Sequence, residues 1–174
     1  MSAGRVVAVR FALLSAVLLG AVAGRAVGPV AGGPLADLVV ARLEVSARVA
    51  AAKFGSGKAV DDPDREQQEL TSVRERARAL GVDPVRAAAF FRDQISASKI
   101  VQRGLIARWT AHPGEAPGAS PDLDVIRAEL DVLTGRLLDQ LLADRGPHTV
   151  APSVLDRLDN LRRVALRTAL RSVT

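Results

Sequence analysis

The stretch from Phe90 to Trp109, FFRDQISASKIVQRGLIARW, constrains the fold more than any other part of the chain. Phe91, Ile95, Ser98, Gln102, Leu105 and Trp109 recur in steps of four, three, four, three and four. That spacing brings side chains onto one face of an α-helix and has no counterpart in a strand. Ser98 and Gln102 stand one turn apart in this otherwise apolar seam. A buried hydroxyl or amide left unpaired costs about 1–3 kcal/mol, so each needs a partner. The partner is either structural, such as a neighbouring helix or the preceding turn of the same helix, or a ligand.

The breakers divide the chain into more helices of the same kind. A Gly/Pro-rich stretch, Gly28–Pro34, precedes a helix expected over Leu35–Phe54, and GSGK at Gly55–Lys58 ends it. Asp62–Pro63 starts a second helix, which closes near Gly81. Asp83–Pro84 repeats the start signal for the third, which carries the seam through Trp109. After AHPGEAPGAS, Ser120–Pro121 opens a fourth helix running to about Asp144. Ser153, with Asp156 three residues on, predicts the N-cap of a last helix reaching the C-terminus. No segment alternates like a strand between hairpin turns. Leu, Val and Ala must fill the core, because the chain has one Trp and no Tyr. The expected fold is all-α: a multi-helix domain whose long helices surround an internal polar cavity.

Cations also interrupt the apolar stripes. Arg42 follows Leu38 by four residues and precedes Val45 by three. Lys53 is eleven residues further on, about 20° away around the same helix. Two cations facing inward require anions, either protein carboxylates or a ligand. A buried salt bridge for Arg42 and a snorkelling Lys53 are the structural alternatives. Arg65 lies near the start of the second helix, where it can pair with Glu69 one turn on. Arg136 borders the stripe Ile126, Leu130, Leu133, Leu137 and Leu141 of the fourth helix, at its rim or in the core. Together these positions describe a cation-rich cavity suited to a small molecule with more than one carboxylate.

Composition narrows the chemistry. The 174 residues include no cysteine and only two histidines, His112 and His148, both in expected loops. Neither a thiolate metal site nor a histidine-based nucleophile has support. The opening MSAGRVVAVRFALLSAVLLGAVAG has an arginine flank, an apolar run over Phe11–Ala23 and small residues at Ala21–Val22–Ala23. It reads as an export signal over residues 1–23, with an uncleaved anchor over Ala3–Val30 as the alternative. Cleavage would remove Arg5 and Arg10 and lower the formal charge from +5 to +3. With that modest charge and few aromatic residues, nucleic acid is a poor fit as partner.

Three segments, ARLEVSARVAAAKF, DDPDREQQEL and GVDPVRAAAFFRDQISASKIVQ, resemble in order and spacing the successive catalytic segments of the all-α chorismate mutases, in particular their secreted subclass. AELDVLTGRLLDQL extends the resemblance less distinctly into the C-terminal half. The resemblance implies a cofactor-free, metal-free isomerase that converts chorismate to prephenate. It implies substrate-carboxylate contacts at Arg42 and Arg65, and a carboxylate and ether-oxygen contact at Lys53. It further implies a carboxylate-assisting hydroxyl at Ser98 and a second ether-oxygen contact at Gln102. Arg136 corresponds in this resemblance to a fourth-helix arginine that completes the site within one chain. Glu69 is the implied hydroxyl contact, with Glu66 as the alternative.

The domain expectation is thus a signal peptide over 1–23, a flexible leader over 24–34 and a catalytic domain over 35–174. A homodimer with one complete site per protomer is implied, secreted or periplasmic and free of the membrane after signal cleavage. The competing reading is a non-catalytic exported helical domain that binds an anionic metabolite or a protein.

Overall fold

In the computed structural model, residues 34–118, 121–143 and 146–174 are described. The expected signal peptide, nearly all of the leader, and the Ser120 and Asp144 ends of the fourth helix lie outside these residues. The described chain forms α1 (Pro34–Ser56), α2 (Pro63–Leu80), α3 (Pro84–Ala111), α4 (Leu123–Ala143), α5 (Pro152–Asp156) and α6 (Asn160–Leu170). One 3-10 turn, Pro113–Glu115, follows α3. Among the described residues there is no strand, in agreement with the expected all-α class.

The Asp-Pro signals act locally as expected. The Asp62 carboxylate accepts the Arg65 N–H at 3.1 Å, and Pro63 occupies the first turn of α2. At the other end Gly81 takes φ 77°, a left-handed conformation that costs glycine little. Its N–H reaches the Arg78 carbonyl, and the Val82 N–H returns to Ala77 at 2.9 Å. Two residues later the Asp83 carboxylate accepts the Val85 N–H at 2.8 Å and α3 begins. A three-residue connection therefore folds α2 back along α3.

α3 is the axis of the domain and packs against α1, α2 and α6, while α1 also packs against α4. Phe90, Phe91, Ala97 and Val101 are fully buried at its centre. Where α3 passes the start of α6, a Cβ on Gly104 would stand 2.7 Å from a Leu161 methyl, so the bare glycine permits the close approach. Nearer the α3 N-terminus, Asp93 accepts from the Arg171 guanidinium and, at 3.0 Å, from the Ser172 N–H. Gln94 donates to the Ala169 carbonyl at 2.8 Å. These contacts fasten the C-terminal end of α6 to α3.

The C-terminal segment departs from the sequence expectation. Ala151, not Ser153, holds the N-cap position of α5, which ends at Asp156. Asp159 then starts α6 anew: its carboxylate accepts the Arg162 N–H at 2.7 Å. The Leu155 carbonyl is taken by the Arg163 side chain at 2.8 Å. A carboxylate ready to cap a new helix, and a side chain that satisfies the old helix end, make the break cheaper than continuation. The fourth helix begins at Leu123, later than expected, behind Asp122, whose carboxylate accepts the Asp124 N–H at 2.7 Å.

Candidate active site

α1, α2, α3 and α4 surround a cavity of about 580 Å3. That size lies within the range of small-molecule sites, about 300–1,000 Å3. Arg42, Lys53, Arg65, Glu69, Ser98 and Gln102 all line it, as does the alternative Glu66. Arg136 does not: it is exposed and not part of the wall. Thr134 is on the wall, and a residue two further along a helix points about 200° away. The α4 arginine at the cavity is Arg127, seven residues before Thr134 and therefore on its face. Its signal in the sequence was a shared face with Leu130 and Thr134, which the apolar stripe concealed.

Arg42 is 5% exposed, and its guanidinium is engaged on several sides. One nitrogen pairs with Glu69, and the other donates to the Thr134 hydroxyl at 3.2 Å and the Leu130 carbonyl at 3.5 Å. The Phe91 ring lies beneath the guanidinium at 5.6 Å. Glu69 therefore pairs across helices with Arg42, and the intrahelical Arg65–Glu69 pairing is not formed. The structural alternative of a buried salt bridge for Arg42 is present here.

Lys53 sits at the end of α1, half-buried, with its ammonium donating to the Val60 carbonyl at 2.8 Å. Burial lowers its pKa below the ordinary lysine value, against the opposing pull of Asp62, Asp61 and Glu66. Opposite, on α3, Gln102 is 5% exposed and donates through Nε2 to the Ser98 hydroxyl at 2.9 Å. Its Oε1 is buried without a hydrogen-bond partner among the described residues. The two polar breaks in the α3 seam thus bond to each other and face the cavity, in place of back-bonding by Ser98.

Two lining lysines carried no signal as site residues in the sequence. Lys99 bridges Glu66 at 2.6 Å and Asp61 at 3.0 Å, and Lys58 comes from the α1–α2 connection. The Glu66 bond, more than any other influence, raises the Lys99 pKa. The chain has only three lysines, Lys53, Lys58 and Lys99, and all three line this one cavity. Once Arg42 and Lys99 are paired with Glu69 and Glu66, Lys53, Lys58 and Arg65 have no carboxylate at ion-pairing distance among the described residues. The wall therefore offers uncompensated positive charge around a buried amide, an arrangement that can bind a compact polyanion.

These features define a class: an all-helical domain with a cationic cavity enclosed by its first four helices. The family model for chorismate mutase type II matches residues 34–103, the segment that supplies α1, α2 and most of α3. A crystal structure titled chorismate mutase from Burkholderia thailandensis superposes with a TM-score of 0.70 at 38% identity, over 81% of this chain and 97% of that one. A secreted chorismate mutase of Mycolicibacterium smegmatis is 40% identical over 100 residues, 58% of this chain and 55% of that protein. One of Mycobacterium tuberculosis is 33% identical over 127 residues, 73% of this chain and 63% of that protein. The chain belongs to the chorismate mutase family. The matched stretches span between about half and two thirds of the length of those two secreted relatives.

Proposed function

We propose that the protein is an exported chorismate mutase, catalysing the unimolecular [3,3] rearrangement of chorismate to prephenate. The observation that carries this reading is the pairing of uncompensated cations, Lys53 and Arg65, with the buried Gln102 amide around one substrate-sized cavity. Arg65, with support from Arg42, binds the substrate carboxylates and folds the extended enolpyruvyl ether into a reactive conformer, which removes orientational freedom before the chemical step. As the C–O bond breaks, negative charge grows on the ether oxygen. The Lys53 ammonium and an amide hydrogen of Gln102 stabilise that charge more in the transition state than in bound substrate. The amide carries two hydrogens, so one can remain on Ser98 while the other faces the ether.

Ser98 assists a carboxylate at the same wall. Glu69 accepts the substrate hydroxyl, since one of its oxygens is held by Arg42 and the other is available. Glu66 is the alternative: Lys99 and, at 3.4 Å, the Asp62 N–H bind one of its oxygens, and its other oxygen is available in the same way. On α4 the cation that serves the site is Arg127 and not Arg136. All of these groups come from one chain, so each protomer of a homodimer would hold a complete site. Export is supported by the signal-like residues 1–23 and by the secreted relatives.

The test is the loss of chorismate and gain of prephenate with purified mature protein. Failure across a broad pH range, with a folded helical spectrum, would leave a non-catalytic anion-binding domain. N-terminal sequencing of protein collected outside the cytoplasm is expected to begin near Gly24. Recovery of Met1 on membrane-embedded material would favour an anchor instead.

A further inference from the structure

The connection between α1 and α2, residues 57–62, forms part of the cavity wall through Lys58, Val60 and Asp62. It is tied down from α3. The Arg103 guanidinium binds both oxygens of Asp61, at 2.8 and 2.7 Å, and Lys99, one turn earlier, reaches the same carboxylate at 3.0 Å. Asp61 itself does not line the cavity. Its chain neighbour Val60 offers the carbonyl that takes the Lys53 ammonium at 2.8 Å. We propose that Asp61 is a positioning residue for Lys53: clasped by Lys99 and Arg103, it fixes the α1–α2 connection so that the Val60 carbonyl aims the Lys53 ammonium into the cavity.

The charges around Lys53 give this clasp a second effect. Burial lowers the Lys53 pKa, opposed by Asp62 at the start of α2, then by Asp61 in the connection and Glu66 of α2, while Lys99 of α3 adds to the lowering. Arg42 of α1, Arg65, Glu69 and Arg76 of α2, Lys58 of the connection, and Arg127 and Asp131 of α4 are the other charged groups of the wall. Asp61 thus holds Lys53 both in place and in its charged form. Its own carboxyl is kept below the usual range, first by Arg103 and then by Lys99. The clasp adds stability that is fully present above the ordinary carboxylate pKa and is lost progressively as pH falls from there through the depressed folded value. Mild acid therefore leaves it closed.

The inference rests on the proposed role of Lys53, and its test separates the two. The full chain labelled with 13Cε-lysine has three side-chain resonances, from Lys53, Lys58 and Lys99, assignable through Lys58→Arg and Lys99→Arg. The Lys53 titration midpoint is expected to fall in Asp61→Asn, which removes an attracting charge. It is expected to rise in Lys99→Ala, which removes a repelling one and frees Glu66. In Asp61→Ala, kcat per folded molecule is expected to drop about tenfold with little change in KM, since a partial misplacement of a reacting group has effects of that order. The alkaline limb of kcat should follow the NMR midpoint in each variant. A Lys53 midpoint that moves in neither Asp61→Asn nor Lys99→Ala, with kcat per folded molecule unchanged in Asp61→Ala, overturns the inference. Wild-type protein inactive on chorismate but with the expected midpoint shifts would overturn the enzymatic reading and leave the clasp standing.

Discussion

Two glutamines on α3 are alike in almost every local respect. Gln94 is 2% exposed and Gln102 is 5% exposed. Each donates one hydrogen bond through Nε2, and each has a buried Oε1 without a partner among the described residues. Gln94 looks towards α6 and holds the Ala169 carbonyl, beside an Asp93 that holds the end of the chain. Gln102 looks into a cavity and bonds only to its own helix, at Ser98. Burial and an unsatisfied carbonyl are therefore insufficient to mark a functional amide. The difference lies in what stands opposite: a packed helix in one case, and space lined by cations in the other.

The comparison breaks most sharply at Gln102. Gln102→Ala is expected to slow the single-turnover rearrangement by about 10²–10³-fold, the usual cost of a lost donor to developing oxyanion charge, with the melting temperature nearly unchanged. Gln102→Glu should be similarly impaired at neutral pH. Its activity should return as pH falls, because only the protonated carboxyl can donate to the ether oxygen. Near-wild-type rates for Gln102→Ala throughout a pH series would make Gln102 the same kind of residue as Gln94.

At the other end of α3 the effect should be on folding alone. Asp93→Ala leaves the Ser172 N–H and the Arg171 guanidinium without their acceptor and should cost about 2 kcal/mol in denaturant unfolding. Activity per folded molecule should remain that of wild type. A large loss of kcat in this variant would mean that the α6 contact reaches the cavity.

On α4 a smaller contrast separates two arginines. Arg127→Ala should lower kcat/KM about tenfold, equivalent to roughly 1.4 kcal/mol, whereas Arg136→Ala should leave it unchanged. The reverse outcome would restore Arg136 to the site. The smallest effect is expected for Gln94→Leu, a loss of about 1 kcal/mol in stability, since it leaves the Ala169 carbonyl without its donor but also removes the buried unpaired Gln94 carbonyl. Its kinetic constants should match those of the wild type.

The sequence by itself determined α1, α2 and α3 and the residues on their inner faces. Asp-Pro starts, a terminal glycine and a seam in steps of three and four act within one or two turns, so they are legible without knowledge of the fold. Arg42, Lys53, Ser98 and Gln102 were identified because each breaks an apolar stripe, and all four reach the same cavity. Tertiary structure alone decided which partners they take. Arg65 and Glu69 are spaced for an intrahelical pair, yet Glu69 bonds to Arg42, twenty-seven residues away in the chain. The same holds for Arg127 over Arg136, because which side of α4 meets the cavity depends on how α4 packs against α1. The break before α6 depended on whether Asp159 would cap a new helix and on where the Arg163 side chain would find a carbonyl. Lys99 and Asp61 met only when α2 folded back along α3. Local periodicity specifies which residues face inward, but the choice of partner for an inward charge is made by whichever helix packing brings opposite charge within reach.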